Sequence, residues 1–267
     1  MKKIGLFVVA AMAVSMLSGC KKVQKVDNSL AELKERGVFV LGLDDSFPPL
    51  GYRDEDNNIV GYDIDLAKEV ASRLGVEFKA QPIDWDAKEM ELSTGKIDCI
   101  WNGFTMTEER EKALSFTKPY LNNEQVLVVR KASGFKKLSD ATGKIIGLQS
   151  GSSAQEAVDG NAAFKSSLRE IVYFKENVTA MNDLEMGNID GVVMDSVVAA
   201  FDIAVSNKPL VLLPEVLSYE AYGVAFRKED VKLRDEVQKI LEDMAEDGTV
   251  EAISNKWFGR DISVIGK

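Results

Sequence analysis

One short phrase occurs twice in the chain. Residues 92–103, LSTGKIDCIWNG, and residues 184–195, LEMGNIDGVVMD, share the pattern Leu-x-x-Gly-x-Ile-Asp followed by an apolar run. Leu92, Gly95, Ile97 and Asp98 correspond to Leu184, Gly187, Ile189 and Asp190. Upstream of each copy lies a second matching pair, VLGLDDSF before the first and IIGLQSGSS before the second, both apolar runs that end in polar loops. Two matches in the same order restrict the fold to two similar lobes in tandem.

The segments between these landmarks set the class of each lobe. VFVLGL (38–43) has the apolar run of a buried strand. DIDLAKEVASRLG (63–75) places Ala67, Val70, Ala71 and Leu74 at helical spacing and ends on Gly75. VEFKAQPI is then a strand, DAKEMELSTG a helix and KIDCIWNG a third strand. Such alternation predicts an α/β fold, with parallel strands covered by helices. Near the C-terminus, EDVKLRDEVQKILEDMAEDG repeats Leu233, Val237, Leu241 and Met244 at helical spacing. It is an ordinary amphipathic helix.

The N-terminus belongs to export rather than to the fold. Lys2 and Lys3 precede an apolar core, Ile4 to Leu17, which is short for a membrane span and is followed by Lys21-Lys22. The ending Leu17-Ser18-Gly19-Cys20 resembles a bacterial lipobox, which implies cleavage after residue 19 and a lipid on Cys20. The alternative is a plain secretory signal with an incidental cysteine. Residues 20–28 form a polar tether. Removal of residues 1–19 leaves 31 basic against 43 acidic side chains, a net charge of −12. That charge opposes nucleic acid and anionic lipid as partners. With Cys20 lipidated, Cys99 has no disulfide partner and is expected to be a small core residue. The absence of histidine removes His-based triads and His metal sites, and no cofactor is expected.

In open α/β sheets ligands bind beyond the carboxyl ends of the strands. The polar residues there are Asp44, Asp45, Gly103, Thr105, Gln149, Ser152, Ser153 and Asp195. Two facing lobes would gather them around one cleft. Arg110 lies in the first turn of the helix after NGFTMT, where the helix field disfavours a cation unless an anion sits beside it. With Gly103 and Thr105 it describes a pocket for a small carboxylate. The plainer alternative makes Thr107 an N-cap and Arg110 a solvated residue. Asp195 is either the counter-charge of an ammonium group or an N-cap of the helix that follows. Gly151, Ser152 and Ser153 offer amides at another helix start, without the Gly-x-x-x-x-Gly-Lys pattern of a nucleotide loop. Phe47 and Trp85, each close to acidic residues, are either core filler or a clamp on a ligand side chain.

VLGLDDSFPPLGY, IVGYDIDLAKEVASRLG, GFTMTEEREKALSFTKPY and the closing KWFG together resemble the family 3 extracellular solute-binding proteins, receptors of polar amino-acid ABC importers. The resemblance spans nearly the whole mature chain. It implies two Rossmann-like lobes joined by two crossing segments, the type II periplasmic-binding-protein arrangement. Lobe one would take residues 29–122 and 221–267, lobe two residues 123–220, with crossings near YLNNEQ and SYEAYG. It also implies that Arg110, with Thr105 and Thr107, meets the ligand α-carboxylate and that Asp195 meets the α-ammonium. Phe47 and Trp85 would sandwich the ligand side chain beside Asp44, with Gly103, Gln149, Ser152 and Ser153 lining the cleft. Gln149 stands where some relatives carry lysine, and Ser153 where some carry threonine or glycine.

The expected role is that of a monomeric, lipid-anchored receptor on the outer side of a bacterial membrane, delivering an amino acid to an ABC permease. A periplasmic dehydratase-like enzyme on the same fold and a sensor that signals through a membrane kinase are the alternatives. Asp44, Asp45 and Asp84 make the side-chain end of the cleft acidic, which ranks arginine or another cationic amino acid first, glutamine second, and keeps cystine open.

Overall fold

Each copy of the repeat supplies the third strand of a five-stranded sheet. The computed structural model describes residues 26–267; the export signal and the lipid attachment expected at Cys20 lie outside the described residues. The first lobe begins with α1 (Ser29–Arg36) and β1 (Val38–Leu43), followed by a small antiparallel sheet of β2 (Ser46–Phe47), β3 (Gly51–Arg53) and β4 (Ile59–Val60). Next come α2 (Tyr62–Leu74), β5 (Glu77–Pro82), a 3-10 turn at Trp85–Ala87, α3 (Lys88–Ser93), β6 (Cys99–Ile100), α4 (Glu108–Ala113) and β7 (Leu114–Phe116). The long β8 (Leu121–Arg130) carries the chain into the second lobe, where β9 (Ile145–Gln149), α5 (Ser153–Gly160), α6 (Ala162–Ser167), β10 (Glu170–Phe174), α7 (Asn177–Met186), β11 (Gly191–Asp195) and α8 (Ser196–Ser206) follow. β12 (Leu210–Tyr222) returns, and β13 (Ala225–Arg227), α9 (Val231–Glu246) and α10 (Thr249–Phe258) complete the first lobe.

The strand orders are β5-β1-β6-β13-β7 and β10-β9-β11-β8-β12. In both sheets the first three strands are parallel and the fourth is antiparallel to the third. The two crossings pair with each other from Leu121↔Tyr222 to Gln125↔Ser218, so an antiparallel ladder connects the lobes. Helices cover both faces of each sheet. The two faces of a strand divide between clusters: Leu127 and Val129 join Ile146, Val158 and Phe164, while Val126 and Val128 join the main core. α2 buries Leu66, Ala67, Val70, Ala71 and Leu74 along one stripe and stops at Gly75, whose φ of +74° is the left-handed conformation glycine tolerates. Each fully buried leucine or valine of such a stripe contributes about 1.5–3 kcal/mol.

The repeat has a common atomic basis. Asp98 accepts from the Val40 amide at 2.8 Å and Asp190 from the Ile145 amide at 2.9 Å, so each aspartate takes up a backbone amide of the strand beside it. Arg227 donates to the Leu92 and Ile97 carbonyls, and Arg130 donates to those of Leu184 and Ile189. Ile97 fills the space over Gly42, and Ile189 the space over Gly147; a Cβ on either glycine would stand 2.4 or 2.7 Å from the isoleucine Cδ1.

Two local expectations are corrected. KIDCIWNG pairs as a strand only over Cys99–Ile100, because beyond it the Asn102 side chain accepts from the Asp44 amide and replaces the ladder. DAKEMELSTG does not form one helix: the Asp84 carboxylate accepts from the Asp86 amide and caps a 3-10 turn before α3 begins. Cys99 is fully buried and free, and burial raises its thiol well above the usual range.

Candidate functional site

The carboxyl ends of β1, β6, β9 and β11 point from both lobes into one cavity. Its lining comprises Asp44, Phe47, Trp85, Gly103, Thr105, Arg110, Gln149, Ser152, Ser153 and Asp195, all ten of the side chains and backbones expected from the sequence, together with Asn102. Asp45 is elsewhere: it pairs with Arg53 on the rim. Asp84 pairs with Lys175 of the opposite lobe at 3.1 Å. The acidic side-chain end of the cleft therefore reduces to Asp44, which is 8% exposed.

Each lining residue is held by its own local structure. Gly103 has φ +59°, and a Cβ there would meet Leu50 at 2.7 Å and Phe47 at 3.0 Å. Its amide donates to Asp63 (2.8 Å), which also accepts from the Tyr120 hydroxyl. Burial pushes the Asp63 carboxyl up to about 7 against those bonds. Trp85 packs edge-on against Phe104 with ring centroids 5.7 Å apart, and the Arg110 guanidinium lies 4.5 Å from the Phe104 centroid. Thr107 is the N-cap of α4, accepting from the Arg110 amide, yet Arg110 itself is buried rather than solvated. Its Nη1 donates to the Thr105 carbonyl, and its Nη2 meets Glu156 of α5 at 3.0 Å.

Asp195 occupies the N-cap position of α8 without making a capping bond. Its Oδ1 instead accepts from Asn123 (2.7 Å), Gln125 (2.9 Å) and the Tyr222 hydroxyl (2.6 Å). Burial first, and the neighbouring Glu220 second, hold Asp195 well above the usual carboxylate range. The lobes meet directly through Gln149 donating to Asp44 at 2.8 Å and through the Thr105 hydroxyl, 3.1 Å from that of Ser153. Lys88 adds a further contact, its ammonium donating to Trp85 O at 3.1 Å and, across the cleft, to Gly151 O at 3.0 Å. Burial, then the charge of Arg110, pushes Lys88 down to about 8.

Sequence reasoning passed over Asn102, Lys88 and the whole polar set on the crossings: Asn123, Gln125, Glu220 and Tyr222. The crossings were legible as connections, but nothing in YLNNEQ or SYEAYG marks their side chains as facing the cleft. Among the described residues, no group of three or more His, Cys, Asp or Glu side chains is arranged to hold a metal, and no helix is long and apolar enough to cross a membrane.

The model of the bacterial extracellular solute-binding proteins, family 3, matches residues 39–260. The chain belongs to this family. It is 30% identical over 258 residues to the L-cystine-binding protein TcyJ of Escherichia coli (strain K12), with 96% of each chain covered. It is similar in structure to Tv2483 bound to L-arginine, with a TM-score of 0.86, 32% identity, and coverage of 90% of this chain and 98% of that one. An ABC uptake transporter substrate binding protein from Streptococcus pneumoniae with bound histidine gives a TM-score of 0.86 at 35% identity, covering 89% and 98%. These family members are binding proteins, and the fold is the two-lobed α/β arrangement of type II periplasmic amino-acid-binding proteins.

Proposed function

We propose that this family member captures a polar L-amino acid outside the cytoplasm and delivers it to an ABC permease. The observation that carries the reading is the pairing of Arg110 and Asp195 across one cavity, a guanidinium from the first lobe and a carboxylate from the second. A free amino acid presents the complementary pair, a carboxylate and an ammonium on one carbon, so closure of the lobes on it satisfies both. The ligand side chain then lies toward Phe47, Trp85 and Asp44, with Gly103, Thr105, Gln149, Ser152 and Ser153 completing the wall. Cationic amino acids, arginine foremost, fit that end best, with glutamine and then cystine next. Relatives bearing cystine, arginine and histidine in their names support the class.

In this reading the lobes divide at 122/123 and 220/221, the protein acts as a monomer, and it is no enzyme. Among the described residues Lys88 is the one lysine buried beside the cleft, and its ammonium is turned onto two backbone carbonyls rather than toward the cavity, which leaves it ill-placed for proton transfer to a bound substrate. A thermal-shift screen against the twenty L-amino acids and cystine tests the reading, because a tight ligand raises stability by mass action. No shift with any of them overturns it. The lipobox-like Leu-Ser-Gly-Cys further supports a lipid anchor at Cys20 in this reading. Labelling with a clickable palmitate analogue checks this: incorporation should vanish in Cys20→Ser, and equal labelling of that variant defeats the anchor.

A further inference from the structure

Glu220 stands on β12, in register with Asn123 of β8 in the ladder that joins the lobes. Its Oε2 accepts from Thr105 (2.9 Å), Gln125 (3.0 Å) and Asn123 (3.2 Å), with the Ser153 hydroxyl at 3.3 Å. Two of these donors, Asn123 Nδ2 and Gln125 Nε2, are the ones that also serve Asp195. Two carboxylates thus converge on the same pair of amides, Asp195 in the cavity wall and Glu220 behind Thr105 and Ser153. Gln125 leaves its own buried Oε1 without a partner in order to aim its NH2 group at them.

The remaining surroundings do little to neutralise the pair. The Tyr222 hydroxyl donates to Asp195, and the Ser218 hydroxyl donates to Glu220 Oε1 at 3.2 Å. Arg110 is the cation whose charge reaches both, and it is already paired with Glu156. Among the described residues no lysine or arginine nitrogen lies within 4 Å of either carboxylate. Every immediate neighbour is therefore a neutral donor. Burial first, and the half-buried Glu220 carboxylate beside it second, disfavour an ionised Asp195, so Asp195 is the group that holds a proton until a cation arrives.

We infer that Glu220 is a second carboxylate of the ammonium subsite, and that capture of an amino acid drives a proton off the Asp195–Glu220 pair into solvent. This rests on the amino-acid reading above and deepens it. The incoming R–NH3+ keeps its three protons, the protonated carboxyl becomes a carboxylate, and one H+ passes to the buffer. The direction agrees with the burial-raised Asp195. Two consequences follow from the doubly acidic subsite. Ligands need a full ammonium, so an N-acylated amino acid is rejected. Affinity also falls with acidity, because below neutrality the ligand must displace a more firmly held proton.

Calorimetric titration of L-arginine at pH 6.5, in phosphate and in Tris, reads the proton directly as a difference between the two apparent heats. Release of roughly half to one proton per ligand is expected, with affinity roughly tenfold or more weaker at pH 5 than at pH 7. In Glu220→Gln the released fraction and the pH slope should both drop by at least half. Binding with the same heat in both buffers overturns the proposal on wild-type protein alone, whether or not the variant folds. Undiminished release from a folded Glu220→Gln also overturns it. If arginine, glutamine and cystine all fail to bind, it is the amino-acid reading that falls, and this inference falls with it.

Discussion

A cation in the first turn of a helix sits against the positive end of the backbone dipole. Arg110 does so while also buried, and both burdens are offset by Phe104 beneath its plane, the Thr105 carbonyl and the Glu156 carboxylate. A ligand carboxylate would replace an exposed partner, since Glu156 is 45% exposed, with one enclosed in the cleft. Removing the guanidinium leaves that charge desolvated and unpaired, so Arg110→Ala is expected to weaken amino-acid binding by about 3 kcal/mol, a hundredfold or more. Asp195→Ala should do likewise through the ammonium. Native affinity by calorimetry in either folded variant contradicts the assignment. Lys88 makes a different prediction. It is 5% exposed, and its bond to Gly151 O exists only while the lobes touch. A buried ammonium without a carboxylate partner costs folding energy, so Lys88→Met should leave thermal stability equal or higher while ligand dissociation becomes about tenfold faster. An unchanged dissociation rate in stopped-flow removes Lys88 from closure. The strand-end residues were legible because position at a strand terminus is a property of local sequence. Glu220 and Asn123 were not, because 97 residues separate them and only the register of β8 on β12 makes them neighbours.

At the level of elements, the repeated phrase was informative because each of its letters has a task. The aspartate takes up a backbone amide of the adjacent strand, the isoleucine fills the space over a glycine in that strand, and two carbonyls of the phrase receive an arginine from the antiparallel fourth strand. That arginine, Arg227 in one lobe and Arg130 in the other, was illegible: it lies outside the phrase, at the end of β13 or β8. Strand lengths were illegible too, since a side chain such as Asn102 can take over a ladder bond wherever geometry allows. The glycine–isoleucine fit yields a sharp expectation. A methyl at Gly147 would sit 2.7 Å from Ile189 Cδ1 and 2.8 Å from Phe174 Cε2. Overpacking of this kind costs about 1–3 kcal/mol, so Gly147→Ala should lower the urea midpoint at constant m-value. Ile189→Val deletes the offending Cδ1. The double variant should therefore be more stable than the two separate losses would add up to. Simple additivity would mean that the isoleucine and the glycine are not fitted to each other.

For the whole molecule, the decisive quantity is the charge enclosed when the lobes meet. The rim acids are spoken for, Asp45 by Arg53 and Asp84 by Lys175. The charged residues lining the cavity are Arg110, Asp195 and Asp44. An amino acid's carboxylate answers Arg110 and its ammonium answers Asp195 with Glu220 behind it, which leaves Asp44 to be answered by the ligand side chain. Asp44 accepts from Ser46 and from Gln149 of the other lobe, bonds that orient it without supplying positive charge. A guanidinium would supply that charge while lying flat against Trp85 or Phe47, the geometry in which cation–π attraction operates. A glutamine amide would supply a donor without charge, and a glutamate would set a second carboxylate beside Asp44 with no cation between them. The expected order by calorimetric titration is therefore arginine, then glutamine, then glutamate, with at least a hundredfold between the first and the last. Asp44→Asn should weaken arginine roughly tenfold or more while changing glutamine by less, narrowing the gap between them. Tight binding of glutamate with no response to arginine would show that Asp44 does not face the ligand side chain as a charge.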